Sequence, residues 1–156
     1  MKKSPSKSGF TIIEVVLVLA IAGLIFLMVF IALPALQRSQ RDTARKNDAS
    51  AIAAAINSYA SNNSGTLPPN TTAGLSDLLK YQEKLANVST SNIQWKGNTS
   101  ADADLTGLAY DGALIYLGGE CDGNQGKVKD GKSTRKAAVV IRLESGTGNL
   151  GYCQGV

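Results

Sequence analysis

The sequence predicts an α+β fold, in which one long amino-terminal α-helix packs on a small antiparallel β-sheet head. Three observations predict it. A 27-residue apolar run covers residues 10–36, and an alanine-rich helical pattern without Gly or Pro follows it over residues 35–63. Strand-like runs separated by glycines occupy the last third of the chain. The 156 residues are enough for one domain and at most two.

The composition argues against several enzyme classes. The chain contains no histidine, and Ser-His-Asp catalysis, Cys-His catalysis and most histidine metal sites need an imidazole. Two distant cysteines, Cys121 and Cys153, cannot make a CxxC redox pair or a four-cysteine zinc site. Three of the basic residues behind the net charge of +4 lie within the first nine positions. The charge is therefore no evidence for a polyanionic partner.

The apolar run of residues 10–36 is long enough to cross a bilayer as a helix, which takes about 20 residues. A cleaved secretory signal is the alternative, but its apolar core is only about 7 to 15 residues long and ends in a small-x-small cleavage site. The sequence around Pro34 makes a poor site of that kind. Basic residues flank both ends of the run, so the positive-inside rule leaves its orientation open.

Glu14 is the one ionisable residue in this apolar run. A charge inside a bilayer costs at least about 2.5 kcal/mol on insertion scales, so Glu14 needs a partner or access to water. One interpretation is that it lies near enough to the helix start to reach the headgroups. The other is that it neutralises a positive group on another chain.

The segment KSGFTIIEVVLVLAIAGLIF, which begins at Lys7, resembles the class III signal of type IV prepilins and their pseudopilin relatives. The resemblance covers residues 1–36. It implies a cytoplasmic leader over residues 1–9, cleavage between Gly9 and Phe10 by a prepilin peptidase, and methylation of the new amino terminus at Phe10. It also implies that Glu14 pairs with the amino terminus of a neighbouring subunit, where desolvation penalises a subunit docked out of register.

The same resemblance implies a ladle-shaped, pilin-like subunit. Residues 10–36 would span the cytoplasmic membrane once and later form the core of an extracellular filament, residues 37–63 would be an amphipathic spine, and residues 64–156 would be the head outside the membrane. The expected partners are other copies of the chain in a helical homopolymer, the peptidase, and the assembly platform with its separate ATPase. We expect no cofactor and no enzymatic activity.

The second half of the predicted helix carries one apolar stripe at spacings of 3, 4 and 3, formed by Ala49, Ile52, Ile56 and Tyr59, which should cover the head. A stop follows at residues 63–65. Four basic residues follow the apolar run: Arg38, Arg41, Arg45 and Lys46. We expect them to form a rim that faces solvent or lipid. The alternative is that they pair with acidic groups of neighbouring subunits. Pro34 removes one backbone hydrogen-bond donor from the helix, and the position at which the helix would melt in a filament stays open.

In the head, residues 76–86 are predicted as a short helix, and residues 113–117, 136–143 and 150–154 as strands. Cys121 and Cys153 bracket 33 residues. In an exported protein this spacing suggests a disulfide, and it looks like the carboxyl-terminal disulfide loop of type IV pilins. Two buried free thiols are the alternative.

Two motif matches in the head are weak. Residues 126–133 satisfy GxxxxGK[ST], but the next residues are strand-like, whereas a phosphate loop needs a following helix, so we predict a turn at residues 130–131. Asp102, Asp104 and Asp111 resemble part of a calcium loop, although Ala113 stands at the twelfth position, where an EF-hand needs Glu. A polar loop is the alternative to this weak calcium candidate.

A basic cluster in the head is a candidate for contact with DNA or an anionic surface, with a solvated loop as the alternative: Lys127, Lys129, Lys132, Arg135 and Lys136. Four N-x-S/T sequons carry no prediction of a glycan.

The function predicted is that of a prepilin, the structural subunit of a type IV pilus-like filament. A close alternative is a major pseudopilin of type II secretion or of a competence system. A third is a single-pass anchored protein that binds a ligand and never polymerises. Twitching motility, cell adhesion, DNA uptake and protein secretion remain open as uses of such a fibre, as does its standing as a major or minor subunit.

Overall fold

The computed structural model describes residues 9–82, 85–97, 101–102, 105–123, 125–130, 133–145 and 150–156, with only the backbone described at residues 101–102. The chain divides into two compact units, residues 1–37 and residues 38–156. The predicted α+β class is confirmed, since a long amino-terminal helix packs on a small sheet. The elements are the helices α1 (Ile12–Asn62) and α2 (Thr72–Leu79), a 3₁₀ turn (Thr90–Asn92), and seven strands: β1 (Ile93–Lys96), β2 (Ala101–Asp102), β3 (Ala113–Leu117), β4 (Gly119–Cys121), β5 (Lys127–Asp130), β6 (Ala137–Arg142) and β7 (Gly151–Gly155).

Helix α1 continues through Pro34 without a break. It ends where the sequence provides a stop: Ser64 and Gly65 have positive φ angles of 56° and 80°, and the Gly65 N–H donates to the Ala60 carbonyl at 2.7 Å. Glycine adopts this left-handed conformation at little cost, so it closes the last turn of the helix.

The two stretches of α1 differ in what they bury. Within residues 10–36 every large apolar side chain is exposed. Within residues 38–62 one face is buried in the head, and its apolar members are Ala49, Ile52, Ala53, Ala55 and Ile56. Tyr59 is partly buried against the same core, so the predicted stripe does cover the head.

The main sheet has four strands in the order β1-β3-β6-β7. The pairs β3/β6 and β6/β7 are antiparallel, as predicted, whereas β1 pairs with β3 in parallel. The sheet is therefore mixed. Sequence reasoning missed β1, whose four residues, Ile-Gln-Trp-Lys, are too few to establish an alternating pattern.

The main sheet is buried on both faces. Ile115, Val139 and Ile141 lie in one core cluster with α1 residues Ile52 and Ile56. The alternate residues of the same strands lie in a second cluster that contains Leu105, Leu108 and Val128: Leu114, Tyr116, Ala138 and Val140. Burial on both faces explains why β3 and β6 are continuous apolar runs and not alternating ones.

The second cluster is completed by a small antiparallel sheet in the order β2-β5-β4. A disulfide between Cys121 in β4 and Cys153 in β7 ties this sheet to the edge of the main one, with the two Cα atoms 5.7 Å apart. Gly126 and Gly151 lie so close that a Cβ built on Gly126 would be 2.7 Å from the Cα of Gly151.

Helix α2 begins earlier and ends earlier than predicted. Thr71 accepts a hydrogen bond from the Gly74 N–H at 3.1 Å and so caps the first turn. The helix ends at Leu79, so its predicted extension is wrong for residues 80–82 and 85–86; residues 83–84 lie outside the described part of the chain. Position 74 in this helix requires glycine, because a Cβ there would lie 2.0 Å from the carbonyl oxygen of Pro69.

Candidate functional site

Gly9 and Phe10 precede the first turn of α1. Phe10 is 90% exposed, and a Cβ added at Gly9 would meet no atom within 4 Å. The carboxylate of Glu14 accepts hydrogen bonds from the backbone N–H and the hydroxyl of Thr11, both at 2.8 Å. Thr11 and Glu14 thus form the reaching-back half of a capping box, in which the third helical residue satisfies a free donor at the helix start.

The surface around Glu14 is otherwise apolar. Phe10, Glu14 and Val18 contribute to two grooves on the helix, of about 280 and 520 Å³, which are lined in addition by Ile13, Val15, Leu17 and Leu19. A carboxylate surrounded by exposed aliphatic and aromatic side chains can attract a single cation strongly once the surface is covered and water is excluded. The helix that carries it is long and apolar enough to cross a membrane.

Sequence reasoning missed a second group of polar residues, on the head-bound stretch of α1. Asp42 is 3% exposed. Its carboxylate accepts hydrogen bonds from the backbone N–H groups of Glu144 and Ser145, at 2.8 and 2.7 Å, and from the Ser145 hydroxyl. These contacts fasten the loop after β6 to the helix.

Glu144 completes this group. It pairs with Arg41 at 2.6 Å and with the buried Arg45, which is also 3.2 Å from Asp42. The hydrogen bonds from Arg41 and then Arg45 hold the pKa of Glu144 below its usual value. The prediction of a solvated basic rim is therefore wrong for Arg45, which is buried in the head, whereas Arg38 and Arg41 are exposed, with Arg41 paired to Glu144. The nitrogen of Lys46 lies 5.4 Å from the centre of the Tyr152 ring.

Asp48 binds a second loop of the head in the same way. It is 5% exposed, and it accepts the backbone N–H groups of Ala86, Asn87 and Val88 at 3.0, 2.6 and 2.8 Å. Asp42, Arg45 and Asp48 are the buried charged residues of the described chain. Their spacing of three continues the apolar stripe of α1 toward its amino end. This spacing is the sequence signal that could have identified the group, because it places charged residues on the buried face of the helix, where charged side chains need partners.

The calcium candidates are not brought together by any described contact. The carboxylate of Asp111 accepts a hydrogen bond from the Asn92 amide at 2.9 Å. Asp102 stands opposite Lys127 in strand register, but its side chain, like all of Asp104, lies outside the described residues. Among the side chains that are described, no group of three or more acidic or cysteine residues could hold a metal ion. The calcium site stays a prediction.

The phosphate-loop match does not have the required geometry. Residues 127–130 form strand β5, and the next regular element in the described part of the chain is strand β6 and not a helix, so the described residues after the motif provide no helix amino terminus for phosphates. The predicted turn at residues 130–131 includes Gly131, which lies outside the described residues, as does Lys132.

Two described members of the basic cluster, Lys129 and Lys136, lie close to Glu120. Lys136 forms an ion pair with Glu120, and its hydrogen bond lowers the pKa of Glu120. Glu120 also stands opposite Lys129 in strand register. Arg135 is exposed beside Gly65. Contact with DNA or an anionic surface through this cluster stays a prediction.

Residues 4–30 match the family described as the prokaryotic N-terminal methylation motif. This motif is the class III signal of type IV pilins and pseudopilins, and it supports a precursor of that class. No curated protein and no solved structure matches the chain.

Proposed function

We propose that this chain is a prepilin, the precursor of the structural subunit of an extracellular type IV pilus-like filament. A prepilin peptidase cuts between Gly9 and Phe10 and methylates the new amino terminus. The apolar helix of residues 10–36 holds the subunit in the cytoplasmic membrane. Other copies of the chain then replace lipid around that helix as the filament grows from the assembly platform, which is driven by a separate ATPase.

The observation that carries the proposal is the methylation motif at residues 4–30 together with the geometry of its cleavage segment. A peptidase needs an accessible, extended substrate. Gly9 precedes the helix and has no neighbour that a side chain would meet within 4 Å, and Phe10 is exposed. Processing therefore requires no unfolding of α1.

Polymerisation is supported by the exposed apolar side chains of residues 10–36. Soluble monomers rarely expose so large a contiguous apolar surface, and such surfaces mark contacts with membranes or with other proteins. Glu14 supplies the specificity. Before assembly Thr11 satisfies its carboxylate, and after cleavage the Phe10 amine of a neighbour is a stronger partner, because opposite charges attract strongly in an apolar bundle.

The test of assembly is the substitution Glu14→Ala. We expect processing to continue and sheared filaments to disappear. Glu120→Ala is the matched control, because it removes the same charge from a partly exposed ion pair in the head. Filaments at normal yield from Glu14→Ala would contradict the assembly role of Glu14, whereas the absence of filaments from the unsubstituted chain would favour the anchored, non-polymerising binding protein.

Processing is tested separately by Gly9→Val. Because a Cβ at this position meets nothing, loss of cleavage in this variant reports recognition by the peptidase and not misfolding. We expect the uncleaved chain to accumulate in the membrane. Normal cleavage of Gly9→Val would contradict the assigned cleavage position.

A major pseudopilin of type II secretion or of a competence system is the second candidate, because the methylation motif is shared by pilins and pseudopilins. Removing calcium from assembly mixtures distinguishes them. A fibre that needs calcium favours secretion, and a calcium-independent fibre favours the pilus.

A further inference from the structure

Helix α1 contacts the head through two chemically different stretches. The first is apolar and contains Ala49, Ile52, Ala53, Ala55 and Ile56. The second we call the polar seam, which consists of Arg41, Asp42 and Arg45 on the helix with Glu144 and Ser145 on the loop after β6.

The polar seam contains no hydrophobic core of its own. Every residue from 38 to 48 is described, and those that are buried are Asp42, Arg45 and Asp48. No aliphatic side chain in this stretch is fully buried, so hydrophobic burial, the main favourable term in protein folding, contributes little there. Its cohesion comes from hydrogen bonds and ion pairs to two carboxylates, so it depends on their charge.

Protonation of Asp42 and Glu144 removes that charge as the pH falls. Burial alone would raise the pKa of Asp42, but the N–H groups of Glu144 and Ser145, the Ser145 hydroxyl and Arg45 together lower it. The pKa of Glu144 is lowered as well, by Arg41 and then Arg45. Because both folded-state pKa values are depressed, the seam contributes its full stability above the unfolded pKa values and loses it as the pH falls through the folded ones.

The groups around the seam add repulsion once the carboxylates are neutral. The guanidinium of Arg45 lies 5.3 Å from the centre of the Tyr110 ring, and that of Arg142 lies 4.6 Å from the same ring. Arg142 also donates to the Leu108 carbonyl at 3.2 Å. Arg41 completes a set of three cations, and the Nε atoms of Arg45 and Arg142 are buried without a hydrogen-bond partner among the described residues. Without Asp42 and Glu144 as anions, these cations repel one another in a half-buried space.

We propose that the polar seam opens as a separate unit when its carboxylates are protonated, while the Ile52–Ile56 stretch of α1 stays packed on the main sheet. The boundary lies at Asp48, which binds the 86–88 loop instead, and just beyond which the apolar stretch begins. This inference concerns one chain and does not depend on cleavage or polymerisation.

The test is hydrogen exchange measured by NMR on the full chain in detergent micelles, between pH 7 and pH 3, with the intrinsic pH dependence removed. The reporters are the amides of Glu144 and Ser145, which donate to Asp42, and the comparison amides are those of Val139 and Val140 in β6. We expect protection of the seam amides to fall about tenfold or more on acidification. The β6 amides should change much less.

The variant Asp42→Asn removes the charge with little change in shape, and it should lower protection of the two seam amides already at pH 7. Asp77→Asn is the control, because it removes the α2 carboxylate that forms an exposed ion pair with Lys80, the residue after the helix. If Asp42→Asn does not fold, the pH dependence of hydrogen exchange in the unsubstituted chain still tests the proposal. Parallel loss of protection at Ser145 and Val139, or full protection of Ser145 at pH 3, would overturn the proposal.

Discussion

The carboxylate of Asp48 on α1 accepts the backbone N–H of Val88 in the buried interior of the head, at 2.8 Å, although 40 residues separate them in the chain. The N–H groups of Ala86 and Asn87 bind the same carboxylate. A loop with three inward-facing N–H groups is therefore completed by a side chain from another element. Each of these donors would be costly to bury unpaired.

Asp48→Ala should destabilise the head by about 3 kcal/mol, because it leaves one buried and two part-buried backbone donors without an acceptor. The measurement is thermal unfolding of the full chain in micelles, followed by fluorescence of Trp95, the one tryptophan of the chain. Asp77→Ala, in the exposed pair with Lys80, should cost about 0.5 kcal/mol or less. Equal losses of stability in the two variants would show that the Asp48 contacts stabilise the head no more than an exposed ion pair does.

Glu144→Gln should make the stability of the head less dependent on pH. The depressed pKa of Glu144 stabilises the fold above the unfolded pKa, and this contribution disappears in acid. The variant should therefore be less stable by about 1 kcal/mol near pH 7 and closer to the unsubstituted chain near pH 3. Unfolding temperatures measured across this range check the prediction, and two parallel curves would contradict it.

Gly126→Ala should destabilise the head by about 2 kcal/mol. Gly126 has a φ of 73°, and its added Cβ would collide with the backbone of Gly151. Gly155→Ala is the matched control, because a Cβ there meets nothing within 4 Å. Unfolding midpoints of the two variants provide the comparison. A tolerated Gly126→Ala would mean that β5 and β7 can move apart freely.

Reduction of the Cys121–Cys153 disulfide should cost about 3 to 4 kcal/mol, because the bond closes a long loop in the unfolded chain. The small sheet should loosen first, since the disulfide joins β4 to β7. Exchange of the β5 amides with and without reductant tests this. If reduction leaves the β5 amides fully protected, the strand pairs and the second core cluster are sufficient without the bond.

Local signals in the sequence were enough to predict the long helix and its packing. The stripe through Ile52 and Ile56 has the period of a helix, and Gly65 lies where the chain must adopt a positive φ. Strand β3 was predictable for a similar reason, as a short apolar run bounded by glycines. In each case the information lies within a few neighbouring residues.

The polar contacts could not be read in this way. Asp42 binds residues that lie 102 and 103 positions away, and nothing in its own neighbourhood identifies them. Charged residues near the end of an apolar helix usually face water, so Arg45 was expected on a rim. Its burial follows from Glu144, whose proximity exists only in the folded chain. The parallel pairing of β1 is missed for the same reason, because its partner β3 is separated from it by β2 and a loop.

The residues around Glu14, in contrast to these polar contacts, were identified from the sequence. The structure adds the hydrogen bonds from Thr11 that satisfy the Glu14 carboxylate within one chain. A partner for Glu14 on a second chain belongs to the proposed assembly.

Processing and assembly as a filament subunit are tested most directly by intact mass spectrometry, without reduction, of material sheared from the surface of cells that produce this chain. We expect a sedimenting polymer whose subunit begins at an amino-terminally methylated Phe10 and retains the Cys121–Cys153 crosslink. A chain that still begins at Met1 and remains in the membrane fraction while the peptidase is active would show that it is not a prepilin.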